Sequence, residues 1–307
     1  MTNKRSKGIV GIFILITVIF IVFLMFAFNT IMTIKSSGSI GEEDDPKNAP
    51  IAVVEVDGVI MDSKATIKKL LKAEKDKKIK AIIVRVNSPG GAVGPTQEVY
   101  EEIRRIDKKI PVYASFGTVA ASGGYYIGAA CRKIYSNAGA MTGSIGVIMN
   151  FMNLEKVYEF AKVKPEIIKA GKYKDIGNAS RSMTSEERLL LTEMTQNVHE
   201  QFIMDIYKVR EKRIVDGLEG LRRYAQGQIY SGAGAKERGL VDEIAGLWEA
   251  GRKIHKELEL KSDFNLKFIK LKKEFDISDV LSGIEQTVED LSFSVKNQNV
   301  PLFLYKR

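Results

Sequence analysis

The chain has 307 residues, 47 Lys and Arg against 38 Asp and Glu, and 45% hydrophobic side chains, a balance that excludes disordered and collagen-like classes. One cysteine, Cys131, excludes an intramolecular disulfide framework and a thiolate zinc cluster. The formal charge of +9 invites a nucleic-acid reading, and His199 and His255 are the only histidines from which a His-based site could be built.

Residues 1–7 carry +3 from Lys4, Arg5 and Lys7. The next 27 residues, Gly8–Ile34, hold no charged side chain. A helix of about 20 apolar residues crosses a bilayer, so this run spans with some tilt. It is longer than the apolar stretch of about 7–15 residues in a cleaved signal peptide, and Phe26-Ala27-Phe28 is a poor cleavage site. An uncleaved transmembrane anchor is therefore expected. The basic flank places the N-terminus in the cytoplasm, with the rest of the chain on the extracytoplasmic side of the cell membrane. Residues 35–50 carry −2 and four Gly or Pro residues, and read as a polar tether. Residues 51–250 carry +6 and residues 251–307 carry +2, spread over many segments, so no nucleic-acid partner is expected.

Ile51–Val56 reads as a buried strand. Ser63–Lys80 holds eight lysines with Ile67, Leu70 and Leu71 at helical spacing, the pattern of an amphipathic helix with a solvated face. Ala81–Val86 is a second strand, broken by the turn Asn87–Gly91. A helix at Gln97–Asp107, a strand at Pro111–Phe116, a helix opening near Ser122 and a short strand at Arg132–Ser136 follow. Met141–Asn150 reads as extended, Leu154–Lys162 as helix and Glu166–Ala170 as strand. Thr184 with Glu187 forms a capping-box pattern that opens a long helix to about Lys212. Shorter helices follow near Val215–Gln226, Gly232–Gly239 and Leu247–Leu258, with a strand at Asn265–Leu271. The alternation implies parallel pairing with right-handed crossovers. The stretch Val300–Tyr305 is apolar and has no obvious core partner.

The segment Gly117–Gly128 follows a strand and opens a helix, which exposes Ser122 at the carboxyl edge of a sheet. Unpaired amides at a helix start suit an oxyanion, and small neighbours admit a substrate backbone. Ser122 could equally be a helix cap. A nucleophile needs a base. Both histidines lie in polar helices, and the hydrolase pattern G-x-S-x-G fails at Ala120. A lysine can serve once desolvation or a nearby cation makes it neutral. The glycine-flanked segment Gly171–Gly177 offers Lys172 and Lys174, between which spacing cannot choose. The glycines after Pro89 can expose backbone amides to an oxyanion or to an extended peptide. No phosphate-loop pattern G-x-x-x-x-G-K is present.

Together these pieces resemble the signal peptide peptidase A family, membrane-anchored serine proteases of the Ser-Lys type, over residues 50–260 and the anchor. The shared pieces are Ser88-Pro89-Gly90-Gly91, Ala121-Ser122-Gly123-Gly124, Thr142-Gly143-Ser144-Ile145-Gly146 and Gly171-Lys172-Tyr173-Lys174-Asp175. Tyr230-Ser231-Gly232, leading to Gly239-Leu240-Val241-Asp242, completes the series. The resemblance makes Ser122 the nucleophile and Lys174, not Lys172, the general base. It makes the Gly91 and Gly123 amides the oxyanion donors, and Ser88, Pro89, Gly90, Gly124 and Ser144 substrate contacts. It calls for no metal and no cofactor.

The resemblance further implies an α/β fold of the ClpP/crotonase type, a spiral of β-β-α units behind one N-terminal transmembrane helix. The domains become a basic tail (1–7), anchor (8–34), tether (35–50), protease domain (51–261) and tail (262–307). In the family such a tail can occupy the active site. Subunits form a homo-oligomeric ring in which Ser and Lys of one site come from adjacent copies. ClpP itself uses a histidine downstream of its serine, and none lies between Ser122 and His199. The implied activity is endoproteolysis of hydrophobic peptides, chiefly remnant signal peptides. The alternatives are a related Ser-Lys membrane protease that cleaves a stomatin-like partner, and a non-catalytic membrane-tethered assembly protein.

Overall fold

A computed structural model describes residues 49–271 and the backbone of residues 302–304; the expected anchor at 8–34, the tether up to residue 48 and the rest of the tail lie outside the described residues. Among the described residues no helix is long and apolar enough to cross a membrane.

The apolar, β-branched run Ile51–Asp57 forms β1, buried on both faces over its first four residues. Such a run fits a central parallel strand covered on both sides. It pairs in parallel with β2 (Ala81–Ser88), Ile51 opposite Ala81. The next strand out is β4 (Val112–Ala121), also parallel, with Val112 opposite Ile82. The crossover helices are α1 (Lys64–Lys75) and α2 (Val93–Asp107), each with basic residues in its last turn. Cations there complement the helix dipole. On the far side of β1 lies β9 (Leu266–Phe268), parallel to it.

At ten residues β4 is the longest strand, and it forks. Its lower part, 113–116, pairs with β5 (Lys133–Ser136), and its upper part, 119–121, pairs with β6 (Met141–Gly143). Beyond β6 lies β7 (Ile229–Ser231), antiparallel, and beyond β5 lies β8 (Glu243–Ile244), parallel. The sheet is therefore mixed, not purely parallel as the element alternation implies. The remaining helices among the described residues are α3 (Gly123–Ala129), α4 (Glu155–Phe160), α5 (Ser185–Arg210), α6 (Gly217–Tyr224), α7 (Gly232–Glu237) and α8 (Leu247–Glu257). Thr184 caps α5 through the reciprocal box with Glu187 that the sequence predicts.

Two apolar clusters flank the sheet. Val54, Val84, Ile103, Phe116, Ile127 and Phe202 belong to one, and Ile51, Val53, Ile83, Tyr113, Tyr135 and Ile254 to the other. Arg210 at the end of α5 is fully buried, pairs with Asp242 at 3.0 Å and donates to the Gly239 carbonyl at 2.8 Å. This brace explains why Gly239 and Asp242 occur together, and it also holds the site, because Tyr125 of α3 donates to the Leu240 carbonyl at 2.9 Å.

Three further expectations change. Glu166–Ala170 is not a strand, and Ile168 is fully exposed. The extended stretch from Met141 stops at Gly143. The expected turn Asn87–Gly91 instead ends β2 at Ser88 and opens a three-residue strand, β3 (Gly90–Ala92), against which the tail segment β10 (Leu302–Leu304) pairs antiparallel.

Candidate functional site

The carboxyl edge of the sheet gathers three of the predicted pieces. At the end of β4 the chain turns sharply into α3, and Ser122 sits at the turn with φ +53° and ψ −115°. Side-chain-bearing residues rarely hold that conformation, which costs on the order of 1–3 kcal/mol. The Ser122 amide donates to the Gly143 carbonyl at 2.8 Å, and the Ser122 carbonyl accepts from Tyr126 at 2.9 Å. These two bonds clamp the residue between β6 and the first turn of α3.

The Ser122 side chain is 1% exposed, does not cap α3, and its Oγ has no hydrogen-bond partner among the described residues. A hydroxyl whose task was capping would bond an amide of the first helical turn. Buried hydroxyls normally find partners, so a strained, unpartnered one marks a position held for another purpose. Gly123 heads α3, so its amide is among those that helix geometry leaves without an intrahelical acceptor.

Glycine is required at two places around Ser122. A Cβ on Gly124 would lie 2.7 Å from the Ser88 carbonyl, so α3 packs directly on the end of β2. A Cβ on Gly91 would lie 2.0 Å from the Ile60 carbonyl, whose residue bridges β3 in parallel. Ile60 also donates to the Gly90 carbonyl and accepts from Ala92, at 2.9 and 2.7 Å. The Ser88 Oγ accepts from the Gly90 amide at 3.1 Å, with half-buried Pro89 between them. Ser144, at φ +49° and 8% exposed, is tied to the Gln228 carbonyl through its amide at 2.6 Å. Ser88, Pro89, Gly90, Gly91, Ser122, Gly123, Gly124 and Ser144 thus converge.

The backbone of β10 adds a strand to β3 with Phe303 opposite Gly91, and it also lies beside α3. An extended chain can therefore pair with β3 next to the helix that follows Ser122. Strand addition of this kind is a common mode of peptide recognition.

Within the described residues no hydrogen bond joins Lys174 to Ser122, whose Oγ has no partner. Lys174 lies exposed in a turn segment, its amide bonded to the Gly171 carbonyl at 3.2 Å. Its neighbours differ from it. The Lys172 amine is ion-paired with Glu186 and sits 5.1 Å from the centre of the Tyr173 ring. The Lys169 amine is ion-paired with Asp175. The Lys174 amine has no hydrogen bond or ion pair among the described residues. Neither histidine approaches the serine: the His199 Nε2 faces the Ala225 carbonyl, and the His255 Nε2 faces that of Ser262, each at 2.7 Å.

Sequence reasoning missed what holds the Lys174 segment. Arg181 donates to Asp175 at 2.9 Å and to Glu187 at 2.9 Å, tying the segment to the capped start of α5. The hydrogen bond from Arg181 holds Glu187 down at about 2, and Arg181 with Lys169 holds Asp175 well below the usual carboxylate range. Carboxylates with lowered values support the fold above the ordinary value near 4.5 and lose that support as pH falls through the lowered value. Protection of amides 171–177, referenced to unfolded-chain exchange rates, should be level down to about pH 4.5 and fall toward pH 2. Arg181→Ala should lower it across the whole range. A level profile to pH 2 would show that the brace does not hold the segment.

A profile of peptidase family S49 matches residues 104–261, and one of Clp protease matches residues 52–143. The chain is 39% identical over 195 residues to a Synechocystis sp. protein provisionally named a protease, covering 63% of this chain and 69% of that one. It is 32% identical over 232 residues to an Enterococcus faecium protein provisionally named signal peptide peptidase SppA, covering 71% and 66%. It is 31% identical over 268 residues to the chloroplastic serine protease SPPA of Arabidopsis thaliana, covering 87% of this chain and 38% of the plant protein. The Clp-like α/β architecture agrees with the forked, mixed sheet. The 158-residue match of the S49 profile, with these relatives, establishes that the chain belongs to peptidase family S49 and is a serine protease.

Proposed function

We propose that this chain is a membrane-anchored serine endopeptidase working with a Ser122–Lys174 dyad. The observation that carries the reading is the buried, strained and unpartnered Ser122 hydroxyl, placed beside a glycine strand that accepts an extended chain. Ser122 Oγ attacks the scissile carbonyl while the neutral Lys174 amine takes its proton. The amides of Gly91 and Gly123 receive the oxyanion. As the C–N bond breaks, the Lys174 ammonium returns the proton to the leaving amine. Water then attacks the acyl-enzyme with Lys174 again the base, and Ser122 is released. No metal or cofactor enters these steps.

Lys174 is favoured over Lys172 because Glu186 already holds the Lys172 amine as an ammonium. That no hydrogen bond joins Lys174 to Ser122 among the described residues supports a ring in which neighbouring copies complete each site. The segment between β6 and α5 supports it too, since Phe160 is 91% exposed and Ile168 fully so. Exposed apolar side chains of that size mark an association surface. The spiral of β-β-α units, the anchor at 8–34 and an extracytoplasmic catalytic domain complete the proposal. The substrates are hydrophobic peptides, chiefly remnant signal peptides. Ser88, Pro89, Gly90, Gly124 and Ser144 line their path, and the glycines there favour small or apolar side chains. The tail, through Leu302–Leu304, competes for the same strand.

The full chain in detergent should cleave a fluorogenic hydrophobic peptide, and Ser122→Ala should abolish cleavage while the assembly and its melting temperature persist. Loss of cleavage in Lys172→Ala with full activity in Lys174→Ala would reassign the base. Cleavage of one membrane protein but of no free hydrophobic peptide would overturn the substrate class.

A further inference from the structure

The parallel registers bring several chain segments to the edge of the sheet opposite Ser122. The starts of β1, β2, β4, β5 and β9 all lie there, with Ile51 opposite both Ala81 and Leu266. The helix ends that lead into those strands lie there as well. Residues 72–80 contribute five lysines against Glu74 and Asp76, and residues 104–109 contribute four basic residues against Asp107.

The carboxylates of these two segments are already committed. Glu74 is ion-paired with Arg105 and Lys109, Asp76 with Lys267, and Asp107 with Arg132. Lys75, Lys77, Lys80, Lys108 and Lys261 are exposed and have no carboxylate partner among the described residues. Beside Lys261, Glu259 and Asp263 have no ion-pair partner among the described residues. This edge therefore presents uncompensated positive charge, where the sequence alone suggested a solvated helix face.

The chain enters the domain at the same place. The Pro50 carbonyl accepts from the amides of Lys80 and Ala81, at 2.7 and 3.3 Å, and a cleft of about 330 Å³ beside it is lined by Lys80, Lys261 and Ser262. The polar tether ends here, 16 residues after the uncharged run. Fully extended, it reaches at most about 55 Å, which keeps this edge near whatever surface holds that run.

We propose that this basic edge docks on anionic phospholipid headgroups, setting the domain upright with Ser122 facing away from the bilayer. The inference rests on the membrane-anchored reading above. Clustered basic side chains beside an anionic bilayer are attracted within about a Debye length, and salt weakens the attraction. Tethering makes the contact intramolecular, so weak individual attractions suffice. At about 3.3 Å per residue, the ten residues of β4 place the nucleophile about 30 Å from this edge.

The test uses the full chain in lipid nanodiscs of phosphatidylcholine alone or mixed with phosphatidylglycerol. A dye is placed at Ser262→Cys on the basic edge or at Gly139→Cys, where an added side chain meets open space. A quencher is carried on the lipid headgroups. The expected result is severalfold stronger quenching at Ser262 in phosphatidylglycerol discs, reversed by about 0.5 M salt. The fourfold variant Lys75→Gln, Lys77→Gln, Lys80→Gln, Lys108→Gln should remove it, and Gly139 should show little. Equal quenching in both lipids, or at both sites, overturns the docking. Tighter binding of a random duplex DNA than of phosphatidylglycerol discs also overturns it and assigns the edge to nucleic acid. Retention in discs at high salt reports the anchor separately. A chain that leaves the discs in salt, yet shows the lipid-dependent quenching below it, overturns the anchor and supports the docking.

Discussion

Ser122→Ala and Lys174→Ala chains, each inactive alone, should regain about a quarter of the unmodified rate when equal amounts are assembled together. Each substitution alone should cost about 10⁴-fold or more, because nucleophile and base act as a unit. In a ring whose sites pair the serine of one copy with the lysine of its neighbour, a junction works when a Lys174→Ala chain supplies Ser122 and a Ser122→Ala chain supplies Lys174. Random assembly gives each condition a chance of about one half, hence a quarter. The rate of mixed assemblies, compared with that of each variant assembled alone, checks this. Mixed rings with no recovered activity would place both residues of a working site in one chain. The structure motivates the experiment because the Ser122 Oγ has no partner while the Lys174 segment is braced by Arg181.

Ending the chain before Leu302 should lower the apparent KM for a short hydrophobic peptide about tenfold and leave kcat unchanged. The tail strand occupies β3 as a competing peptide would, with Phe303 opposite Gly91. A tethered competitor works at an effective concentration in the millimolar range, so even weak pairing raises the apparent KM. Phe303→Pro, which removes a backbone donor from the strand, should act in the same direction with the tail retained. An unchanged KM in both variants would mean that β10 does not compete with substrate. A change in kcat instead would show that the tail acts on the chemistry or on assembly.

Much of the fold was legible in the sequence, because the signals were local. The β-branched run from Ile51, the capping pair Thr184 and Glu187, and the change from strand to helix at Ser122 depend on neighbours a few residues away. The resemblance proposes Ser122 as the nucleophile, and the structure adds the strained backbone and unpartnered hydroxyl of that residue.

What stayed hidden is what depends on distant partners. Gly90–Ala92 has no alternation of its own and becomes a strand through Ile60 and through a segment some 210 residues later. Glu166–Ala170 looks like a strand because it is apolar, but it lacks a pairing partner among the described residues, and Ile168 is exposed. Spacing could not separate Lys172 from Lys174. The difference between their surroundings comes from Glu186, which the fold of α5 brings to one and not the other. Arg181 was overlooked for the same reason, since its role appears only once Asp175 and Glu187 are on either side of it.

The pairing of β10 with β3 also bears on solubility. A strand edge left open is a template for any other chain, and one built of two glycines and an alanine offers no bulky or charged side chain to discourage wrong partners. Three residues of the protein's own tail take up that edge and make its pairing groups less available to strangers. A newly made copy with this strand in place meets its neighbours with one fewer adhesive edge. Deleting the tail should therefore cost yield of correctly assembled protein as well as change the enzyme's appetite for peptides.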